Sequence, residues 1–147
     1  YFIALLLQGS KFECHLKIWP EIADFEDHVL KSIYSELIIR KPYSDLLGFR
    51  DKQEFDLASF AKDQPESVGR EIDRLAAFDL GEAATSSEAW ERALHKTARS
   101  IKERTIKNKL AKLRQKITEG EDSLKIDELS RLNSQFRDLT RQLSGLK

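Results

Sequence analysis

The chain has no methionine, one cysteine, three prolines and six glycines among its 147 residues. A lone Cys14 excludes an internal disulfide framework and weighs weakly for a reducing compartment. No apolar run approaches the ~20 residues needed to span a bilayer. The opening run YFIALLL lacks the basic region and the cleavage site of a signal peptide. Secreted, disulfide-stapled and membrane-spanning classes are therefore excluded. The want of methionine, with an apolar run already under way at Tyr1, reads as a piece of a larger protein. Few glycines and prolines also mean few helix breakers. With no alternating run flanked by hairpin turn signals, the fold class is all-α.

What is present is charge: 34% of residues are charged, against a typical share of about 25%. With ordinary hydrophobicity, that excess points to long solvated helices rather than to disorder. The 25 basic and 25 acidic residues cancel only in sum. Residues 1–94 carry a net charge of −7, residues 95–117 a net of +8 and residues 118–147 a net of −1. Nine cations (Lys96, Arg99, Lys102, Arg104, Lys107, Lys109, Lys112, Arg114 and Lys116) face Glu103 alone in the middle segment. The chain is an acidic body, a basic rod and a near-neutral tail.

The acidic body reads as a small helical bundle. Residues 1–8 predict a buried helix stopped at Gly9. Phe12, Leu16 and Trp19 are spaced for a short helix before Pro20. A further helix follows Asp24, with Phe25, Val29, Ile33, Leu37 and Ile38 on its stripe and Tyr34 flanking it. Pro42 and Gly48 bracket a loop. Asp56 is the expected N-cap of a short helix carrying Leu57 and Phe60. Pro65 opens another, with Val68, Ile72, Leu75 and Phe78 facing inward and Gly81 closing it.

From Thr85 the pattern changes. Thr85 and Glu88 form a capping-box signal, and nothing after them breaks a helix until Gly120. Trp90, Leu94, Ala98 and Ile101 form one stripe, and Ile106, Leu110, Leu113 and Ile117 a second. The second is turned by about 100–140° from the first, so one helix serves two different neighbours. After a turn with an N-cap at Asp122 or Ser123, the residues Leu129, Leu132, Phe136, Leu139, Leu143 and Leu146 repeat every three and four positions as a heptad seam. The expected organisation is a helical bundle over 1–100, joined by one long helix to an antiparallel helical hairpin over 101–147.

Chemistry-bearing patterns are few. The sequence holds no glycine-rich phosphate loop, no Gly-x-Ser-x-Gly elbow and no His-Glu-x-x-His. Cys14, His15 and His28 do not make a zinc site, because adjacent residues on a helix point about 100° apart and a fourth ligand is missing. The acids Asp24, Glu26 and Asp27, like Asp51, Glu54 and Asp56, suit helix N-termini better than a catalytic dyad. No catalytic residue, cofactor or metal is expected. A two-helix hairpin leaves half of its seam wet, which suits docking to another protein, self-association or packing back on its own body. The basic rod suits a solvated shaft, an acidic protein surface or a nucleic-acid backbone. Without aromatic residues to stack bases, nucleic-acid contact is at most weak and non-specific.

The order of these parts resembles a known family. The run Phe2-Ile-Ala-Leu-Leu-Leu7 precedes Asp24-Phe25 leading into His28-Val-Leu-Lys-Ser-Ile33-Tyr34, and Phe55-Asp-Leu-Ala-Ser-Phe60 follows. A basic helix and a heptad segment ending in Leu-Thr-Arg-Gln-Leu143 complete the series. Together they resemble the C-terminal helicase-binding domain of bacterial DnaG-type primases, over essentially the whole chain. The segment from Ile101 to Leu143 is the most specific part. The resemblance implies a bundle similar to the N-terminal domain of the DnaB-type replicative helicase, extended by a hairpin that docks on the helicase N-terminal domains. It implies a cytoplasmic, replication-fork role in bacteria, recruiting primase and modulating helicase and primase activity. The fragment itself is then no enzyme, although its parent is a DNA primase, a DNA-directed RNA polymerase. The alternatives are the helicase's own N-terminal domain, which lacks such a hairpin, a non-specific nucleic-acid module using residues 96–116, and a self-associating coiled coil. On the docking reading, Phe136, Leu139, Leu143 and Leu146 are the apolar anchors. Arg137, Arg141, Lys112 and Lys116 are the rim charges, no membrane is involved, and the fragment is a monomer or a weak dimer.

Overall fold

A computed structural model describes residues 1–9, 16, 18–40, 56–120 and 126–146. It is all-helical. The described residues form α1 (Phe2–Gln8), α2 (His28–Arg40), α3 (Leu57–Lys62), α4 (Glu66–Ala76), α5 (Ser87–Gly120) and α6 (Ile126–Gly145), with short 3-10 turns at Ile22–Asp24 and Gly81–Ala84. The chain divides into two compact units, Tyr1–Ala98 and Arg99–Lys147, and the division falls within α5. The expected readings on Phe12, Cys14, His15, Pro42, Gly48, Asp51, Glu54, Phe55, Asp122 and Ser123 lie outside the described residues.

The first unit is built around α1. Every residue from Phe2 to Leu7 is buried, as befits a helix that is apolar all round and so needs neighbours on every side. α4 lies against α1, α2 and α3 and turns Val68, Ile72 and Leu75 inward. Trp90 is the largest side chain buried to within 2% exposure, and its indole N–H donates to the Leu5 carbonyl at 2.9 Å. The ring lies directly over Gly9. A Cβ there would sit 2.2 Å from Trp90 Cζ2, closer than any real contact, so only glycine fits. Gln8 reaches the far end of α4, its amide donating to the carbonyls of Leu75 (3.0 Å) and Phe78 (2.8 Å) and satisfying groups that a helix end leaves without partners.

Several local expectations are corrected. Tyr34, expected beside the apolar stripe, is a full core residue, in an aromatic cluster with Phe25 (centroids 4.6 Å apart) and Phe2 (6.0 Å). Its hydroxyl donates to the Pro20 carbonyl at 2.7 Å, which removes the usual cost of burying a phenol. Burial and the nearby Asp24 carboxylate push that hydroxyl's pKa far up. Ile38, expected on the stripe, is 44% exposed. α2 starts at His28 rather than just after Asp24, because Asp27 is the cap: its carboxylate accepts from the amides of Val29 (2.8 Å) and Leu30 (2.9 Å). Asp24 is buried and accepts from the Glu21 amide at 2.7 Å, closing the 3-10 turn before it.

α4 ends at Ala76, short of Gly81. Phe78 has left the helix by then, is 40% exposed, and stands edge-on to the Tyr1 ring at 5.9 Å. Gly81 instead opens the second 3-10 turn, at φ +56°, a conformation side chains rarely adopt. The cap of α5 is Ser86, not Thr85. Its hydroxyl accepts from the Ala89 amide at 3.1 Å, while the Thr85 hydroxyl is committed to the Glu82 carbonyl at 2.7 Å. The Asp56 cap stands as expected, accepting from the Ala58 amide at 3.0 Å.

Candidate partner-binding hairpin

The second unit is an antiparallel hairpin of α5 and α6. Its apolar seam is continuous but thin. On α5 the side chain of Ile106 is buried (7% exposed), while Leu110, Leu113 and Ile117 are half-buried. On α6, Leu129, Leu132, Phe136, Leu139, Leu143 and the following Leu146 are all half-buried, and none of the helix's residues is fully buried. Two helices give each apolar side chain one neighbouring surface, so the other flank of every seam residue but Ile106 meets water.

The polar contacts of Gln115, Lys107 and Thr140 run along single helices, one turn apart. Gln115 donates to Glu119 at 2.7 Å, Lys107 pairs with Glu103 at 3.7 Å, and the Thr140 hydroxyl donates to the Phe136 carbonyl at 2.8 Å. Exposed pairs of this kind stabilise a helix by about 0.2–0.5 kcal/mol at most.

Charge separates along the same division. Residues 1–98 hold 12 basic and 18 acidic residues, a net of −6, and residues 99–147 hold 13 basic and 7 acidic, a net of +6. On α5, Lys102, Lys109 and Lys116 recur every seven residues with Lys112 between them. At 3.6 residues per turn these four lie within an arc of about 80°, a row about 21 Å long beside the seam. In heptad terms the three that repeat flank the seam on the edge that faces Glu128, Gln135 and Gln142 of α6. That edge of α6 supplies two acids, Glu128 and, at the position matching Lys112, Asp138.

A groove of about 420 Å³ opens on this edge, lined by Lys109, Lys112 and Leu113 of α5 and by Gln135, Asp138 and Leu139 of α6. Of the expected site residues it brings Lys112 and Leu139 together. Phe136, Leu143 and Leu146 stay in the seam, half covered, and Arg137, Arg141 and Lys116 are exposed outside the lining. Leu113 was visible as a stripe residue and Lys109 as part of the basic rod. Gln135 and Asp138 carried no signal of their own; only the heptad positions flanking Leu139 could have pointed to them. Among the described residues no group of three or more His, Cys, Asp or Glu is placed to hold a metal, and no helix is long and apolar enough to cross a membrane.

In comparison with known proteins, no family model, no curated protein and no solved structure matches the chain.

Proposed function

We propose that the chain is a non-catalytic interaction domain of a bacterial DNA primase, and that its hairpin docks on the N-terminal domains of a DnaB-type replicative helicase. The observation that carries this reading is the contrast within the chain. A first unit with a full core is followed by a basic two-helix hairpin whose seam, apart from Ile106, is only half covered. An apolar seam of that kind is completed by a third surface, as in helix-in-groove recognition. The resemblance to primase helicase-binding domains names which surface. On this reading the bundle is the scaffold that modulates helicase and primase activity, and primer synthesis belongs to other parts of the parent protein.

The test is capture of candidate helicase N-terminal domains by the full chain. Binding is expected, and reversal of the four rim charges (K112E, K116E, R137E and R141E together) is expected to weaken it at least tenfold. Reversal of Arg70 and Arg92, exposed on the first unit, is expected to leave it unchanged. Binding that is indifferent to the hairpin charges would overturn the reading.

The lysine row supports a second reading, non-specific binding to a nucleic-acid backbone. It predicts affinity that falls steeply with salt and is lost when Lys102, Lys109 and Lys116 are neutralised.

A further inference from the structure

Little holds the second unit closed. Among the described residues of Arg99–Lys147 only Ile106 is buried, and α6 has no fully buried residue over Ile126–Gly145. A helix of that length draws most of its stability from packing rather than from propensity. On the other side of the division the same α5 is firmly seated. Trp90, Leu94 and Ala98 are at most 1% exposed, and the Trp90 indole donates to the Leu5 carbonyl at 2.9 Å. One helix therefore has an anchored half, Ser87–Ala98, and a half beyond it that depends on α6.

Charge works against the dependent half. Residues 99–119 hold eight cations and two acids, a net of +6, over a rise of about 30 Å. Like charges stand one turn apart at Arg99 and Lys102, Arg104 and Lys107, Lys109 and Lys112, and Lys112 and Lys116. That spacing destabilises a helix. Glu103 and Glu119 are the two acids set against them, and Glu103 pairs with Lys107 at 3.7 Å. α6 brings no net charge of its own, since Asp127, Glu128 and Asp138 are offset by Arg131, Arg137 and Arg141. Salt screens such repulsion. The Debye length falls from about 30 Å at 0.01 M to about 8 Å at 0.15 M, that is, from the whole rise of this segment to little more than one turn.

We propose that the hairpin is an order–disorder device: α6 and the part of α5 beyond Ala98 open together, and the charge carried by α5 sets the balance. The opening stops where Trp90, Leu94 and Ala98 hold α5 in the first unit. Release of α6 uncovers the seam of α5, whose own cations then act against a bare helix. Neutralising those cations, or binding anything to the closed form, shifts the population toward closed. The device belongs to the chain alone and does not rest on the docking reading.

Amide hydrogen exchange of the full chain alone, with a charge placed at Ala111, tests this. Ala111 is exposed, four residues after Lys107 and three before Arg114. Glu and Lys have nearly equal helix propensities, so A111K adds to the repulsion and A111E relieves it at equal local cost. At low salt, about 0.01 M, α6 and α5 beyond Ala98 are expected to exchange at a common rate, far faster than α1, α4 and Trp90–Ala98. A111K is expected to exchange there at least threefold faster than the parent chain and A111E at least threefold slower. At high salt, about 1 M, exchange in the parent hairpin should slow at least threefold relative to the first unit, and the two variants should converge.

Exchange of α6 at the rate of α1 and α4 would overturn the proposal, since the hairpin would then open only with the whole chain. So would fast exchange of α6 beside an α5 that stays as slow beyond Ala98 as over Trp90–Ala98, because α6 alone would then move. A shift of A111K and A111E in the same direction would overturn the role of charge, as would a difference between them that high salt leaves intact. Capture of helicase N-terminal domains is a separate result. Failed capture with the expected exchange overturns the docking reading alone, and capture without the expected exchange overturns the device alone.

Discussion

The two units of this chain solve the burial problem in opposite ways. Among the described residues, 20 apolar side chains are buried in Tyr1–Ala98, and Ile106 alone is buried in Arg99–Lys147. The first unit carries −6 and the second +6. The bundle surrounds α1 on all sides and leaves its polar groups hydrogen-bonded, as the contacts of Gln8, Tyr34 and Trp90 illustrate. Among the described residues, the hairpin has no closed core. A region that keeps half of its apolar seam in water is the one on which the docking proposal rests.

Substitutions sharpen this contrast by size. The largest effect is expected at the junction of α1 and α5. Trp90→Ala should cost about 3–5 kcal/mol and Gly9→Ala, which drives a Cβ into the indole, about 1–3 kcal/mol; urea unfolding of the full chain measures both. The paired truncations Leu94→Ala and Leu139→Ala compare the units directly. Leu94 is 0% exposed and should cost about 2–5 kcal/mol. Leu139 is half-buried and should cost clearly less, since part of its surface is already wet. Equal costs would break the comparison.

Smaller effects probe the bundle's polar fittings. Tyr34→Phe should cost about 1 kcal/mol, because the Pro20 carbonyl loses its donor. Ser86→Ala should also cost about 1 kcal/mol, with Thr85→Ala smaller, since Ser86 holds the cap.

The pH dependence of stability comes last. The Leu30 amide, and then the Val29 amide, hold the Asp27 carboxyl below its usual range, and the Ser59 hydroxyl with the amides of Ser59 and Ala58 does the same for Asp56. A depressed folded pKa means that the stabilisation is whole above the unfolded value of about 3.9 and is lost as pH falls through the folded value. Denaturation midpoints should therefore decline as the solution is acidified below about pH 4, and less so in Asp27→Asn and Asp56→Asn.

Much of this was legible in residue order. The long helix from the Thr85–Glu88 region to Gly120 and the heptad repeat from Leu129 to Leu146 followed from periodicity, and the hairpin of α5 with α6 is what they form. The phase change between Ile101 and Ile106 also has its counterpart in burial. Trp90, Leu94 and Ala98 are at most 1% exposed, whereas beyond Ile106 the stripe is only half covered. What sequence missed depends on contacts between distant residues. Tyr34 looked like a flanking residue because nothing nearby in sequence announces that Pro20 accepts its hydroxyl. Phe78 looked inward because helical spacing was carried past Ala76, where Gln8 takes over the end of α4. Thr85 and Ser86 are both good caps by type, and only the Thr85 bond to Glu82 decides between them. The groove was half visible: its leucines and lysines stood out, while Gln135 and Asp138 have no pattern beyond their place beside Leu139.

Amide hydrogen exchange on the full chain, alone and with the N-terminal domain of a DnaB-type helicase, tests the central claim most directly. Alone, α1 and α4 should exchange through global unfolding while α6 exchanges far faster by local opening. With the helicase domain, α6 and the Ile106–Ile117 stretch of α5 should gain at least tenfold protection, with α1 and α4 unchanged. Protection gained on α1 or α4 while α6 stays as it was would contradict the account.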